Sequence, residues 1–320
     1  MLILDRHDIE GHIDPARLQS VIADAYRAYS AGTVTMPPVG HIAFPDNDGD
    51  CHIKAGHVHG DGDFVIKVAT GFARNAAKGL PSGNGVSLVL SATSGEVKAV
   101  LHDEMHLTDL RTAAGSAVAT GALARPDALR VLIVGTGVQT RHQVHAHAAL
   151  LGPEARFRIW GRRPEAAQQR AAALVDETAT DLSVEATDDL EAACAWADII
   201  VTATAATAPL IQATWIRPGT HINAVGADAP GKQELSVEVV ANADCCIADS
   251  RAQCVDHGEL SHAVAAGHLS PEAIGEIGEL LMGRCAGRRS ADDITVADLT
   301  GLAVQDIAIA RMVLDSAQRA

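Results

Sequence analysis

No run of roughly 18 apolar residues, the length a membrane-crossing helix needs, occurs in the sequence. The opening "MLILDRHDIE" reaches Asp5 before an apolar stretch has grown long, so no signal peptide is expected and the expected location is the cytoplasm. Positive charge is scarce too. Lys and Arg number 25 against 40 Asp and Glu, a formal net charge of −15, which argues against nucleic acid or an anionic membrane as partner. Small anionic ligands stay admissible, because they respond to local charge. The six cysteines (Cys51, Cys194, Cys245, Cys246, Cys254, Cys285) contain no C-x-x-C pair, and reduced thiols are the plain reading. Internal repeats, low-complexity tracts and flexible linkers are missing as well. What is present is 48% hydrophobic and 20% charged over 320 residues, ample for a core and for two domains or one large one.

The spacing of apolar residues divides the chain. Leu18, Val21, Ile22, Ala25 and Tyr26 recur at helical intervals across 14–31, and Gly32 follows as a stop. From 39 to 102 the segments "CHIKAG", "FVIKVATGF", "GVSLVLSA" and "VKAVL" predict consecutive strands in a mostly antiparallel or mixed sheet. An Ala-rich helix is expected over 107–124, with Thr108 or Asp109 as its cap. Beyond it, apolar strands at 130–135, 156–161, 182–186, 198–204, 220–226 and 244–249 alternate with helical stretches. That rhythm predicts an α/β fold with a doubly wound parallel sheet, closed by one more helix at the C-terminus.

The first of those strands runs into "VLIVGTGVQTRHQ" at 131–143. A dinucleotide fingerprint wants G-x-G-x-x-G or G-x-G-x-x-A between strand and helix. Gly135 and Gly137 fit; Thr140 stands where the third small residue should be. Two glycines allow a tight turn and close approach of a pyrophosphate to the helix N-terminus, whereas the third serves packing. At the end of the second strand, "IWGRR", the acidic residue that would take a ribose 2′-hydroxyl is absent, and Arg162 and Arg163 follow Gly161. Guanidinium groups suit a 2′-phosphate; two solvated arginines are the other reading, so NAD(H) and NADP(H) both stay open.

Five segments in order, "KVATGFARNAAKGLPSG", "LTDLRTAAGSAVA", G-x-G-x-Q at 135–139, "HINAVGADAPGKQEL" and "DLTGLAVQD", resemble the ornithine cyclodeaminase/μ-crystallin family over nearly the whole chain. That family includes cyclodeaminases, some alanine dehydrogenases, and ketimine or imino-acid reductases, and in it G-x-G-x-Q replaces the third glycine. The resemblance implies a Rossmann domain (113–299) inserted in a mixed-sheet α+β domain for substrate and dimerisation (1–112, completed by the helix 300–320), a homodimer, and nicotinamide in the cleft.

It also implies roles. Lys67, flanked by Val65, Ile66, Val68 and Ala69, matches the family lysine that contacts the substrate carboxylate; Arg111 matches the arginine bridging that carboxylate and the cofactor. Asp228 matches the catalytic aspartate, placed to steady an iminium and relay its proton. Gly135, Gly137, Val138, Gln139, Ser82, Thr204, Lys232, Arg162 and the backbone at Asn223, Ala224 and Val225 are the expected cofactor contacts. Cyclodeaminases carry an acidic residue for the distal amine of ornithine; the matching position here reads as Ala43, and His41, near a family arginine, either binds a carboxylate or is an ordinary strand histidine. Neither His52, His57 and His59 nor His142, His145 and His147 form a coherent four-ligand set, so no metal is expected.

The reading that follows is an NAD(P)H-dependent reductase of a small anionic α-imino acid, iminosuccinate to L-aspartate in particular. A cyclodeaminase-type lyase using bound NAD and a non-enzymatic, crystallin-like cofactor carrier are the alternatives.

Overall fold

The computed structural model describes residues 1–177 and 182–319. The chain divides into two compact units, Met1–Arg111 with Leu302–Ala320, and Thr112–Gly301. Residue 320, the last of the expected C-terminal helix, lies outside the described residues.

The first unit is built on a seven-stranded mixed sheet. Its order is Leu2–Asp5, Val97–His102, Gly83–Ser91, Asp63–Phe72, Gly49–Val58 and Val34–Thr35, with Gly40–Phe44 also pairing to Gly49–Val58. Only the pairing of Leu2–Asp5 with Val97–His102 is parallel among these. Side chains alternate across it. Val65 and Lys67 are buried on one face, where helix Ala303–Ala317 packs and Ile307 reaches Gly56. Helix Pro15–Ser30 packs on that helix. Asp14 accepts the Ala16 N–H as its cap, Pro15 opens its first turn, and Leu18, Ile22, Ala25 and Tyr26 form the buried stripe. The opposite face of the sheet carries the row Ala55, Ile66, Leu88, Val100 and Ile3, one residue from each of five neighbouring strands. Ile3 there is 68% exposed, Ile53 38% and Ile42 49%.

The helix expected at 107–124 runs over His106–Leu123, and its cap is a correction to the sequence reading. Thr108 and Asp109 lie inside the first turn, and the Asp103 carboxylate accepts the Leu107 N–H at 2.9 Å. The chain turns through Glu104 and Met105 at φ 51° and 73°, a bend no propensity announces.

The second unit holds an eight-stranded, all-parallel sheet in the order Ser183–Thr187, Arg156–Trp160, Arg130–Val134, Ile199–Thr202, His221–Ala224, Thr295–Asp298, Cys245–Ala248, Gly275–Glu276. Val131–Val134 and Ile199–Val201 are wholly buried, as strands covered on both faces must be. The order reverses between Arg130–Val134 and Ile199–Thr202, the switch point at which such sheets bind ligands. Strand Thr295–Asp298 was not expected, nor were the short pair Thr207–Ile211 and Gln233–Leu235. Thr295 and Asp298 make that strand look like loop, yet both are buried: Thr295 Oγ1 is 2.9 Å from His221 Nδ1, and Asp298 accepts the Leu260 N–H at 2.9 Å.

Candidate functional site

The glycine turn lies at the switch point of the second unit. Gly135 has φ 138°, its N–H donates to Trp160 O at 2.8 Å, and a Cβ on it would stand 2.6 Å from Ala203 O. Gly137 is the N-cap of helix Val138–Leu151, and a Cβ there would meet nothing within 4 Å. That open space before a helix N-terminus suits a pyrophosphate approaching the N–H groups of the first turn. Thr140 explains the irregular fingerprint. It is fully buried, and its hydroxyl donates to Gly135 O at 2.9 Å, closing the turn that a third small residue would otherwise pack.

Around the turn is a cleft of about 670 Å³, lined among others by Gly135, Gly137, Gly161, Arg162, Arg163 and Thr204. Val138 is 57% exposed beside it, and Gln139 is half-buried. Thr204 is fixed by Glu234, a buried residue the sequence reading did not single out although it is the penultimate residue of the quoted "HINAVGADAPGKQEL". Glu234 accepts from Thr202 Oγ1 (2.6 Å), Thr204 N (2.7 Å) and Gly226 N (2.9 Å). Burial pushes its carboxyl up despite those donors. The residues present, a glycine turn before a helix N-terminus beside an open cleft, therefore fit a dinucleotide.

Asn223, Ala224 and Val225 are buried, and their groups are largely spoken for. Asn223 Nδ2 donates to Ser116 O and Thr120 Oγ1, Val225 N to Thr202 O, and Ala224 O accepts from Leu299 N. Asp228 and Lys232 lie beyond that strand, Asp228 exposed and Lys232 half-exposed, with the ammonium donating to the carboxylate.

In the first unit, Lys67 and Arg111 converge. Both are 6% exposed, and both donate to the same oxygen, Asp306 Oδ1, at 2.8 Å from Lys67 Nζ and 3.1 Å from Arg111 Nε. Arg111 Nη1 also donates to Gln305 Oε1 at 3.3 Å. Asp306 was not named from the sequence, although it is the last residue of the quoted "DLTGLAVQD". Burial alone would raise its carboxyl; Lys67 and then Arg111 outweigh burial and hold it at about 2. Burial lowers the Lys67 ammonium, opposed by Asp306. Asp306 Oδ2 is buried with no protein partner.

Directly across the sheet from Lys67 stands Lys54, and it too acts electrostatically on Asp306. Ala43, the position expected to face the distal end of a substrate, lies opposite Asp50. Paired residues in antiparallel strands share a face, so Lys54, Lys67, His52 and His41 form one strip, His41 opposite His52 with ring centroids 4.8 Å apart. His41 is exposed, and Ser82 is exposed in the loop before Gly83–Ser91. Metal-capable donors gather once among the described residues, as His41, Asp50 and His52, three groups with donor atoms within 4.8 Å of one another. His57 and His59, with centroids 6.3 Å apart, bond instead to Asp61 O and Thr35 Oγ1. His147, buried between Thr120 Oγ1 and Gln143 O, has its pKa lowered to about 4 by burial.

A family model described as "Ornithine cyclodeaminase/mu-crystallin family" matches residues 1–320. A protein named as a dehydrogenase in Rhizobium meliloti (strain 1021) is 41% identical over 323 residues, 100% of this chain and 97% of that one. A protein named as a cyclodeaminase in Sinorhizobium fredii is 42% identical over 299 residues, 92% and 89% of the two chains. Among solved structures, an archaeal alanine dehydrogenase dimer with bound NAD has a TM-score of 0.90 at 31% identity, covering 100% of this chain and 96% of its own. Thermococcus litoralis Delta(1)-pyrroline-2-carboxylate reductase, in complex with NADH and L-proline, scores 0.92 at 26%, covering 100% and 98%. The iminosuccinate reductase of Paracoccus denitrificans in complex with NAD+ scores 0.90 at 30%, covering 100% and 97%.

Proposed function

Because the chain belongs to the ornithine cyclodeaminase/μ-crystallin family, we propose that it is a nicotinamide-dependent reductase of a small α-imino dicarboxylate, forming L-aspartate from iminosuccinate. The observation that carries this reading is the strip on which Lys54 stands opposite Lys67, with Lys67 and Arg111 gathered on one buried carboxylate. Lys54, Lys67 and Arg111 all act on Asp306, with Asp103 as a second carboxylate bearing on Lys67; a face lined by three cations suits a substrate with two carboxylates and repels one with a cationic tail.

The nicotinamide supplies the hydride when bound, and the turn at Gly135, Gly137, Val138 and Gln139 holds the phosphates. Lys67 and Arg111 take the α-carboxylate, Arg111 through a fork whose orientation Asp306 and Gln305 fix. Lys54, with His41 and His52 beyond it, takes the distal carboxylate. Asp228 steadies the iminium charge and manages the proton on nitrogen, held by Lys232 until then. The C=N carbon would take that hydride, and the nitrogen would keep or gain its proton from the Asp228 side. The proposed assembly is a homodimer, and the proposed location the cytoplasm.

The test is NADH and NADPH oxidation with a panel of 2-oxo acids plus ammonia, beside ornithine assayed for ammonia release. Oxidation strongest with oxaloacetate plus ammonia is expected. Equal rates with pyruvate plus ammonia would remove the dicarboxylate; ammonia from ornithine without accumulating reduced coenzyme would establish the lyase. Coenzyme binding without turnover on any substrate would leave a carrier.

A further inference from the structure

The ribose end of the dinucleotide cleft carries a preference that the glycine turn does not. Strand Arg156–Trp160 lies beside Arg130–Val134 in parallel register, and Gly135 N–H donates to Trp160 O. The carboxyl end of that second strand therefore borders the phosphate turn, where the adenosine ribose of a bound dinucleotide is read. Three features meet there.

Position 161 is crowded by a neighbouring side chain. A Cβ on buried Gly161 would come within 2.5 Å of Thr136 Cγ2. A carboxylate at that strand end, the usual partner of the ribose 2′-hydroxyl, is absent, and one placed there would require Thr136 to turn aside. The next two residues, Arg162 and Arg163, are exposed, and both line the cleft together with Gly135, Thr136 and Gly137. A third guanidinium, Arg170 of helix Pro164–Glu177, does not line the cleft but donates to the carbonyl of Thr136, which does, at 3.4 Å. The nearest acid in sequence, Glu165 in the first turn of that helix, does not line the cleft. In a chain of net charge −15, a concentration of guanidinium groups around a site without a lining carboxylate is a local inversion of sign, and its geometry suits a phosphate dianion.

We propose that the cleft selects the 2′-phosphorylated coenzyme, NADP(H) over NAD(H), with Arg162 and Arg163 as ligands of the 2′-phosphate. The proposal rests on the dinucleotide reading of the cleft and is independent of which imino acid is reduced.

Calorimetric titration of the whole protein with NADP+, NAD+, 2′,5′-ADP and 5′-ADP tests it without turnover. NADP+ binds at least about tenfold more tightly than NAD+, and 2′,5′-ADP more tightly than 5′-ADP, with a preference that shrinks as salt rises. Arg162→Ala and Arg163→Ala, at exposed positions that leave the fold intact, together remove most of that ratio and change NAD+ affinity by no more than about threefold. NAD+ binding equal to or tighter than NADP+, or arginine variants that weaken both coenzymes alike, overturns the proposal and leaves the dinucleotide cleft standing. Binding of none of the four overturns the cleft reading itself.

Discussion

Asp306 settles the charge of the candidate substrate face. Two buried cations share its Oδ1, and without it Lys67 and Arg111 would be desolvated side by side. Its carboxyl sits at about 2, below the ordinary 3.8. A depressed folded pKa stabilises the fold fully above about pH 4, and that contribution is lost as pH falls towards 2. Asp306→Asn is therefore expected to cost roughly 3 kcal/mol at neutral pH and to flatten the acid limb between pH 4 and 2, both read by urea denaturation across pH. An unchanged acid limb would separate Asp306 from the ion cluster. Lys54 bears on specificity instead. A charge-assisted hydrogen bond of about 1.5–3 kcal/mol converts to roughly tenfold to a hundredfold. Lys54→Ala should lower kcat/KM for oxaloacetate plus ammonia by that factor and leave pyruvate plus ammonia within about threefold. Equal losses on both would assign Lys54 to the common carboxylate or to packing. Lys67 and Arg111 were legible through the family resemblance, Lys67 also through the apolar residues that flank it, but Asp306 and Lys54 were not. Their significance comes from strand register and from a helix that returns some 190 residues after Arg111, which no local pattern encodes.

At the scale of elements, what was legible follows from periodicity, and what was not follows from long-range satisfaction of polar groups. The glycine turn, the parallel strands and the helix Pro15–Ser30 announce themselves by spacing. Strand Thr295–Asp298 does not, since its Thr and Asp find their partners in His221 and Leu260, far along the chain. The Asp103 cap escaped for a related reason: the helix begins two residues earlier than Thr108, after a bend through positive φ. The turn itself separates folding from binding. Gly135→Ala forces a Cβ against Ala203 O at φ 138°, so instability and loss of coenzyme binding arrive together. Gly137→Ala meets nothing in the protein. Its unfolding free energy should fall by no more than about 1 kcal/mol, the cost of alanine for glycine at an N-cap, with coenzyme affinity reduced about tenfold by the methyl in the phosphate's space. Unaltered affinity in Gly137→Ala, measured by titration, would move the pyrophosphate away from this turn.

The first unit's sheet leaves one face partly exposed among the described residues. Its Lys67 face is covered by the helix Ala303–Ala317, as the contact of Ile307 with Gly56 shows. The other face carries Ile66, Leu88 and Val100 half-buried in register, flanked by Ile3, Ile42 and Ile53, which are 38–68% exposed. Monomers rarely leave a contiguous apolar patch above a few hundred Å² in water, and stable interfaces bury about 800 Å² on each side. Sheet-on-sheet packing of two copies, with the inner faces about 10 Å apart, would cover all five strands of that row at once. The pattern is readable in "DFVIKVATGF", where both alternating sets are apolar although helices are available to only one of them. The native chain should therefore run in light-scattering chromatography at twice its 33.2 kDa mass. Ile53→Lys places an ammonium on that face at a position exposed enough to spare the fold, and two copies would bring two such charges into a desolvated interface. The expected result is a folded monomer at low micromolar concentration, with an unchanged circular-dichroism spectrum. A dimer that survives Ile53→Lys intact would have to be formed through some other surface, and the apolar row from Ala55 to Ile3 would then need another partner.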